Sequence, residues 1–327
     1  MTRVLIIGGG GMIGQKVAHR LNEKGLVGRP VTDLTLFDLR FPADGAQCTH
    51  RIVGNLSDRD SIDSLVAKRP DVIMHLAAIV SSDAERNFHK GWQVNLFALW
   101  TLLDSLRIEH AASAGRYRAR LIFASSAAAF GPPFDGPVSD QFICEPRTSY
   151  GAQKVAAELI VSDFARKGFV DGVSLRLPTI CVRPGLPNAA ASSCFSDIIR
   201  EPLNGREAVL PIARTVRHML ASPRSAAGFF VHAAELDLAR LEGRRVLNMP
   251  SLSCSIGDQI EALRDIAGND IVELIREVPD PFIESIVSNW ATEFSTERAD
   301  SLGFRAEDDF RQIIQAYIED DLPIAAR

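Results

Sequence analysis

The sequence is poor in two of the three aromatic side chains: it holds 3 Tyr and 3 Trp against 17 Phe in 327 residues. Chemistry that needs a phenol therefore has only Tyr117, Tyr150 and Tyr317 to draw on; Tyr117, between Arg116 and Arg118, is expected at the surface, and Tyr317, in the C-terminal helix pattern, in packing. The five cysteines, Cys48, Cys144, Cys181, Cys194 and Cys254, are odd in number and widely spaced, with no C-x-x-C pair. That argues against a disulfide framework and against a zinc–cysteine centre. The seven histidines form no H-E-x-x-H or other tight pair, so no metal site is expected. No apolar run reaches the roughly 18 residues of a membrane helix. The apolar stretch Val4–Ile7 is too short for a secretory leader and runs straight into glycines. It reads as a buried strand, and a reducing cytoplasm is the expected setting. Lys and Arg number 36 against 41 Asp and Glu, a net charge of −5 with no long basic run. Nucleic-acid binding is thereby excluded as the main role.

What is present points to an α/β protein. A hydrophobic fraction of 46% is enough for a sizeable core. Short β-branched runs at Val4–Ile7, Leu34–Asp38, Arg51–Val53, Val72–Leu76, Leu121–Ser125 and Val173–Leu177 alternate with helical patterns. Met12, Ile13, Val17 and Leu21 recur at helical spacing before Gly25, and Ile62, Leu65 and Val66 repeat the pattern. Strands that do not alternate, separated by helices, predict a parallel sheet covered on both faces, a doubly wound Rossmann-type fold. The expected division is a dinucleotide-binding domain over residues 1–183 and a smaller, mainly substrate-binding lobe over 184–327. A segment near 246–249 is expected to return to the sheet. Ser255 is expected to cap a helix carrying Ile256, Ile260, Leu263 and Ala267.

Gly8, Gly11 and Gly14 sit between the first strand and the first helix, which opens at Met12 and Ile13. Glycine there permits a tight turn and lets backbone approach a pyrophosphate resting on the helix N-terminus. Asp38 ends the second strand, where a carboxylate accepts hydrogen bonds from ribose hydroxyls and repels a 2′-phosphate. NAD is therefore expected, with Arg40 leaving NADP possible. Tyr150 and Lys154, four residues apart, fall on one helix face. A phenol ordinarily titrates near about 10. A neighbouring ammonium and an oxidised nicotinamide both favour phenolate, giving a base usable near neutral pH. Ser125 and Ser126 end the fifth strand, on the side of an open sheet that faces ligands. Ser126 is the expected catalytic hydroxyl, holding a substrate oxygen, while Ser125 is expected only to satisfy backbone groups.

These residues resemble the extended short-chain dehydrogenase/reductase family, which includes nucleotide-sugar epimerases and dehydratases. The likeness runs over nearly the whole chain and is strongest over residues 1–185. It implies a catalytic set of Ser126, Tyr150 and Lys154 and a cofactor set reaching beyond the glycine loop and Asp38. Gly54-Asn55-Leu56 stands for the family's adenine-contacting G-D-[IL], with Asn for Asp. Leu76, Ala77 and Ala78, in the run from His75, look like its strand-four cofactor turn. Asn95 matches its helix asparagine. Leu175–Ile180 looks like the segment that meets the nicotinamide amide, with Pro178 assigned to the cofactor and Thr179 to the substrate. A diphosphate-binding Arg-Asp stretch is missing from Met219–His232, and Phe130 replaces the usual tyrosine. Both departures speak against a diphosphosugar. The segments from Leu177, Ser222 and Asn248 instead look like a branch that oxidises a four-carbon sugar acid at C2, D-erythronate to 2-dehydro-D-erythronate. Arg183 is the expected carboxylate contact, because a guanidinium binds carboxylate bidentately. Arg214, Arg217 and Arg224 are weaker candidates, as are His218 and His232. A nucleotide-sugar epimerase with tightly held NAD is the alternative, and a non-enzymatic dinucleotide sensor a more distant one. The resemblance further implies a homodimer built on helices near 95–110 and 150–166.

Overall fold

The structure is a computed structural model that describes residues 2–186 and 191–322. The remainder of the expected 184–327 lobe lies outside the described residues. Twelve strands occur among the described residues: β1 (Arg3–Ile7), β2 (Asp33–Asp38), β3 (His50–Val53), β4 (Val72–His75), β5 (Arg120–Ser126), β6 (Asp171–Leu177), β7 (Thr179–Ile180), β8 (Ala208–Leu210), β9 (Arg217–Ala221), β10 (Val246–Asn248), β11 (Leu252–Ser255) and β12 (Ile275–Glu277). The chain forms two compact units, and each is built from several stretches of sequence.

The first unit comprises residues 1–129, 144–177 and 227–248. Its seven-stranded sheet has the order β10-β6-β5-β4-β1-β2-β3, with every pair parallel. Strand order reverses between β1 and β4, so the carboxyl ends of those strands flank the crevice where such sheets bind ligands. The strands are buried because helices cover the sheet, which is why they read as unbroken apolar runs. One core packs Leu5, Ile7, Phe37, Ile73, Leu121 and Phe123 against helical residues such as Leu99, Leu102 and Val161. β10 joins the sheet beside β6, with Leu247 opposite Leu175. Arg120 holds the end of helix Pro223–Glu235 by donating to the carbonyls of Ala233 and Leu236 at 3.0 and 2.8 Å. This satisfies acceptors that a helix C-terminus leaves open.

The second unit comprises 130–143, 178–226 and 249–327. It carries a three-stranded sheet, β11-β9-β7, and a two-stranded one, β12-β8. A separate core gathers Cys181, Phe195, Ile198, Leu220, Ile260, Ile313 and Ile314. Ser255 accepts from Asp258 N–H at 3.0 Å while Asp258 accepts from Ser255 N–H at 2.8 Å. That reciprocal capping box opens helix Ile256–Ala267. Compared with a cut after residue 183, the contacts give residues 130–143 and 178–183 to the second unit and 227–248 to the first.

Of the two spare tyrosines, Tyr317 is buried and its phenol oxygen accepts from Asn204 Nδ2 at 3.1 Å. Tyr117 is not the free surface residue that its arginine neighbours suggest. Its ring packs on the first core and its hydroxyl donates to the Pro70 carbonyl at 2.9 Å. Burial pushes its pKa up, which removes it as a base.

Candidate active site

The loop after β1 is shaped by what lies beside each glycine. Gly8 adopts φ +89°, and a Cβ there would stand 2.6 Å from Ala77 N, so the loop presses on the turn after β4. A Cβ on Gly14 would collide with the Gly8 carbonyl and lie 2.8 Å from Gly9 Cα. Gly14 thus sets the close approach of helix Met12–Lys24 to the loop. Gly11 differs: its nearest neighbour would be Gly8 O at 3.4 Å, leaving open space at the helix N-terminus. No side chain caps that end, so the first N–H groups of the helix at Met12 and Ile13 are available. An uncapped helix start with an open glycine fits the pyrophosphate of NAD. Overpacking of this kind costs about 1–3 kcal/mol. Gly14→Ala is therefore expected to lower the thermal midpoint by several degrees and weaken NAD affinity about tenfold. Unchanged values in a melting curve and an NAD titration would contradict the packing role.

Asp38 is fixed at the end of β2. Its carboxylate accepts from Gly10 N–H at 2.9 Å and Leu39 N–H at 2.7 Å. This ties the glycine loop to the residue expected to meet the ribose. Asn55 is exposed, and its Oδ1 accepts from Ser57 N–H at 2.9 Å in an Asx turn. Leu56, beside it, is buried. In the turn after β4, Leu76 and Ala77 both donate backbone N–H to the Ile7 carbonyl, at 2.8 and 3.1 Å. With Ala78 they are partly exposed beside the glycine loop.

Asn95 is 1% exposed and sits in a π-helical turn, Gln93–Phe97. Its Oδ1 accepts from Ile79 N–H at 2.9 Å, and its Nδ2 donates to Ile79 O at 3.2 Å and Gln153 Oε1 at 2.8 Å. The carboxamide is committed to protein partners. It pins the loop after β4 to the helix that carries Tyr150.

That helix, Ser149–Arg166, starts where Thr148 Oγ1 accepts from Gly151 N–H at 3.1 Å. Gly151 lets its first turn lie against the Ala128 carbonyl. Tyr150 and Lys154 then project on one face, as their spacing predicts. The Ser126 side chain lies beside the Tyr150 phenol and favours its ionised form, and Ala128 N–H donates to Ser126 Oγ at 3.1 Å. Lys154, 2% exposed, donates to the Ala124 carbonyl at 2.7 Å. Its ammonium lies 4.7 Å from the Phe123 ring centre and 5.4 Å from that of Tyr150. Burial pushes the Tyr150 phenol up to about 12, and the neighbouring Ser126 acts the other way. Burial brings Lys154 down to about 7, against an upward pull from Glu158. In the protein alone the pull on the phenol therefore comes from Ser126, and the phenolate needs the further positive charge that an oxidised nicotinamide carries.

Several neighbours escaped the sequence reading. Ser125 does more than satisfy backbone: its hydroxyl donates to the Glu158 carboxylate. Glu158 is gripped bidentately by Arg176, at 2.9 and 2.7 Å. His75, 1% exposed at the end of β4, has neither ring nitrogen bonded among the described residues. Burial, then the nearby Lys154 ammonium, pushes it down to about 3, so the imidazole is neutral. An i,i+4 repeat from Tyr150 through Lys154 to Glu158 was the available signal for Glu158. Nothing local marks its partners.

In the second unit, Thr179 Oγ1 lies 2.7 Å from His218 Nε2. His218 is buried and stacks on Phe195 with 4.8 Å between ring centres, and burial pushes it down to about 4. It is a packed neutral histidine that orients Thr179. Pro178, just before, is buried. Arg183 is partly buried and donates to Ser192 O at 3.0 Å. It has no ion-pair partner among the described residues, and desolvation pushes its pKa down. Arg214, Arg217 and Arg224 pair instead with Glu277, Asp258, and Glu319 with Asp320. Those pairs make them surface charges. Among the described residues no cluster of His, Cys, Asp and Glu could hold a metal ion, and no helix is long and apolar enough to cross a membrane.

Comparison with known proteins matches this geometry. Residues 4–218 match the NAD dependent epimerase/dehydratase family. A D-erythronate dehydrogenase of Cupriavidus necator is 42% identical over 97% of this chain and 98% of its own. A D-erythronate dehydrogenase of Haemophilus influenzae is 36% identical over 98% of this chain and 100% of its own. A crystal structure described as a nucleoside-diphosphate-sugar epimerase from Agrobacterium tumefaciens is 47% identical, with a TM-score of 0.93, over 100% of this chain and 96% of that one. The uncapped helix behind an open glycine, the parallel sheet and the match over two-thirds of the chain agree: this chain is an NAD-dependent enzyme of the NAD dependent epimerase/dehydratase family.

Proposed function

We propose that the protein oxidises a small sugar acid, D-erythronate to 2-dehydro-D-erythronate, with Tyr150 as the base. NAD, when bound, supplies the acceptor for the hydride that leaves C2. Tyr150 takes the C2 hydroxyl proton on its phenolate oxygen as the C–H bond breaks and the C=O bond forms. Ser126 holds the reacting oxygen. Lys154 keeps positive charge beneath the phenol and fixes the nicotinamide ribose. The glycine loop with Met12 and Ile13, Asp38, Asn55 with Leu56, Leu76–Ala78 and Pro178 form the cofactor side. Thr179 and Arg183 form the substrate side, where Arg183 takes the carboxylate.

The observation that carries this reading is the placement of Ser126, Tyr150 and Lys154 on adjoining strand and helix positions. Two D-erythronate dehydrogenases, similar over almost their full lengths, support the substrate. An unpaired, desolvated Arg183 supports an anionic one. The name given to the Agrobacterium structure favours a second reading, a nucleotide-sugar epimerase that regenerates its NAD in each cycle. A panel of four- to six-carbon aldonates and UDP-sugars, each offered with NAD and with NADP, separates the two. The first reading expects NADH from D-erythronate above the longer acids. The second expects sugar interconversion with no net NADH.

The working partner is a second copy of the chain, in a reducing cytoplasm that suits five free cysteines. Exposed Phe97, Trp100 and Leu159, on or beside helices Ala98–Ala112 and Ser149–Arg166, support that dimer.

A further inference from the structure

Three consecutive residues at the end of β5 each meet one turn of the same helix. The Ala124 carbonyl accepts from Lys154, the Ser125 hydroxyl donates to Glu158, and Ser126 lies beside Tyr150. Tyr150, Lys154 and Glu158 are spaced by four, so they stack along one helix face. The third of these contacts is anchored from a second strand. Arg176 of β6 donates to both Glu158 oxygens, at 2.9 and 2.7 Å, and its Nη2 reaches Cys144 Sγ at 3.1 Å. Ser125, Glu158 and Arg176 are 3%, 2% and 5% exposed, so this is a buried ion pair with a hydroxyl attached. Register adds to the point: Ser125 lies opposite Arg176, and Ser126 opposite Leu177, immediately before Pro178.

We propose that Glu158 is a positioning residue. Held by Arg176 and Ser125, it clamps the Tyr150/Lys154 helix against the ends of β5 and β6 and so sets where the reacting groups stand. The proposal rests on the reading of Tyr150 as base. A helix pinned only by its apolar face can slide or rotate slightly, whereas a bidentate buried pair fixes direction as well as distance. Misplacing a reacting group by about 1 Å costs on the order of 100-fold in rate. The clamp has an electrostatic side too. The charged or titratable groups facing Lys154 are Glu158 and Tyr150 on its own helix and His75 from β4. β5 offers only the Ala124 carbonyl and the Phe123 ring. Among these Glu158 is the one that favours the ammonium by charge.

A buried ion pair also has a purely structural use, and one of its partners cannot be removed without leaving the other unpaired. The test therefore removes both. The variant Glu158→Leu/Arg176→Met replaces the pair by apolar side chains, a change that often leaves stability intact. It is expected to keep the parental circular dichroism and thermal midpoint and to bind NAD within about threefold, while kcat falls about 100-fold. Glu158→Gln is expected to move the alkaline limb of the kcat–pH profile to lower pH, because Lys154 loses the charge that holds its proton. Glu158→Asp is expected to restore that limb. A folded double variant with near-parental kcat would overturn the proposal and leave the pair a stability element. An unmoved alkaline limb in Glu158→Gln would do the same. Tyr150→Phe is run beside them: if it keeps turnover, the base assignment fails first and the clamp falls with it.

Discussion

Tyr150→Phe should fold, bind NAD as the parent does, and lose turnover by about 1,000-fold. The substitution deletes one oxygen from a ring whose packing stays in place, so stability is little affected. What disappears is the phenol oxygen that, on the proposed mechanism, takes the C2 hydroxyl proton. General-base removal costs about 100- to 10,000-fold. Burial raises the phenol to about 12 in the protein alone. Its ionisation thus depends on positive charge brought in with the oxidised cofactor, and kcat should rise with pH on the acidic side. Stopped-flow NADH formation with matched NAD titrations separates the two effects. A folded Tyr150→Phe protein with near-full turnover would remove Tyr150 from the chemistry.

The second large effect belongs to Arg183. Arg183→Met should raise KM for the sugar acid about 100-fold and change kcat far less. The guanidinium is partly buried, carries no ion pair among the described residues, and is steadied from one side by the Ser192 carbonyl at 3.0 Å. A desolvated cation held in this way is ready for a bidentate anion. Truncating one partner of such a pair costs about 2–5 kcal/mol, which brackets a 100-fold loss. Arg183→Lys should recover part of it, because an ammonium supplies charge without the fork. Initial-rate kinetics on the three proteins decide the matter. An unchanged KM in Arg183→Met would make Arg183 a local brace for Ser192 and move the carboxylate contact elsewhere.

How much of this was legible in the sequence follows from how local each signal is. The glycine loop announces itself because strand, turn and helix occupy adjacent residues, and Gly14 packs on Gly8 only six positions away. Tyr150 and Lys154 are readable because helical spacing alone puts them together. The parallel sheet followed from unbroken apolar strands, and Val246–Asn248 found its place beside β6. Contacts between distant segments were not readable. Ser125 and Glu158 are 33 residues apart and come from a strand and a helix, so no spacing rule pairs them. Tyr117 looked like a surface residue between two arginines, yet its hydroxyl reaches back 47 residues to Pro70. Asn95 sits in a π-helical turn, and its carboxamide meets Ile79 and Gln153, the latter 58 residues away, which no spacing rule pairs. In each of these the deciding partner is a backbone or side-chain group that only the folded chain brings near.

The central claim, net oxidation of a sugar acid at C2, is tested most directly with D-erythronate carrying deuterium at C2. Incubated with the protein and NAD, it should yield deuterium-labelled NADH and 2-dehydro-D-erythronate in equal amounts, with a slower rate than the unlabelled acid. Unlabelled NADH would place the oxidation at another carbon, and no NADH at all, with a UDP-sugar interconverted instead, would contradict the account.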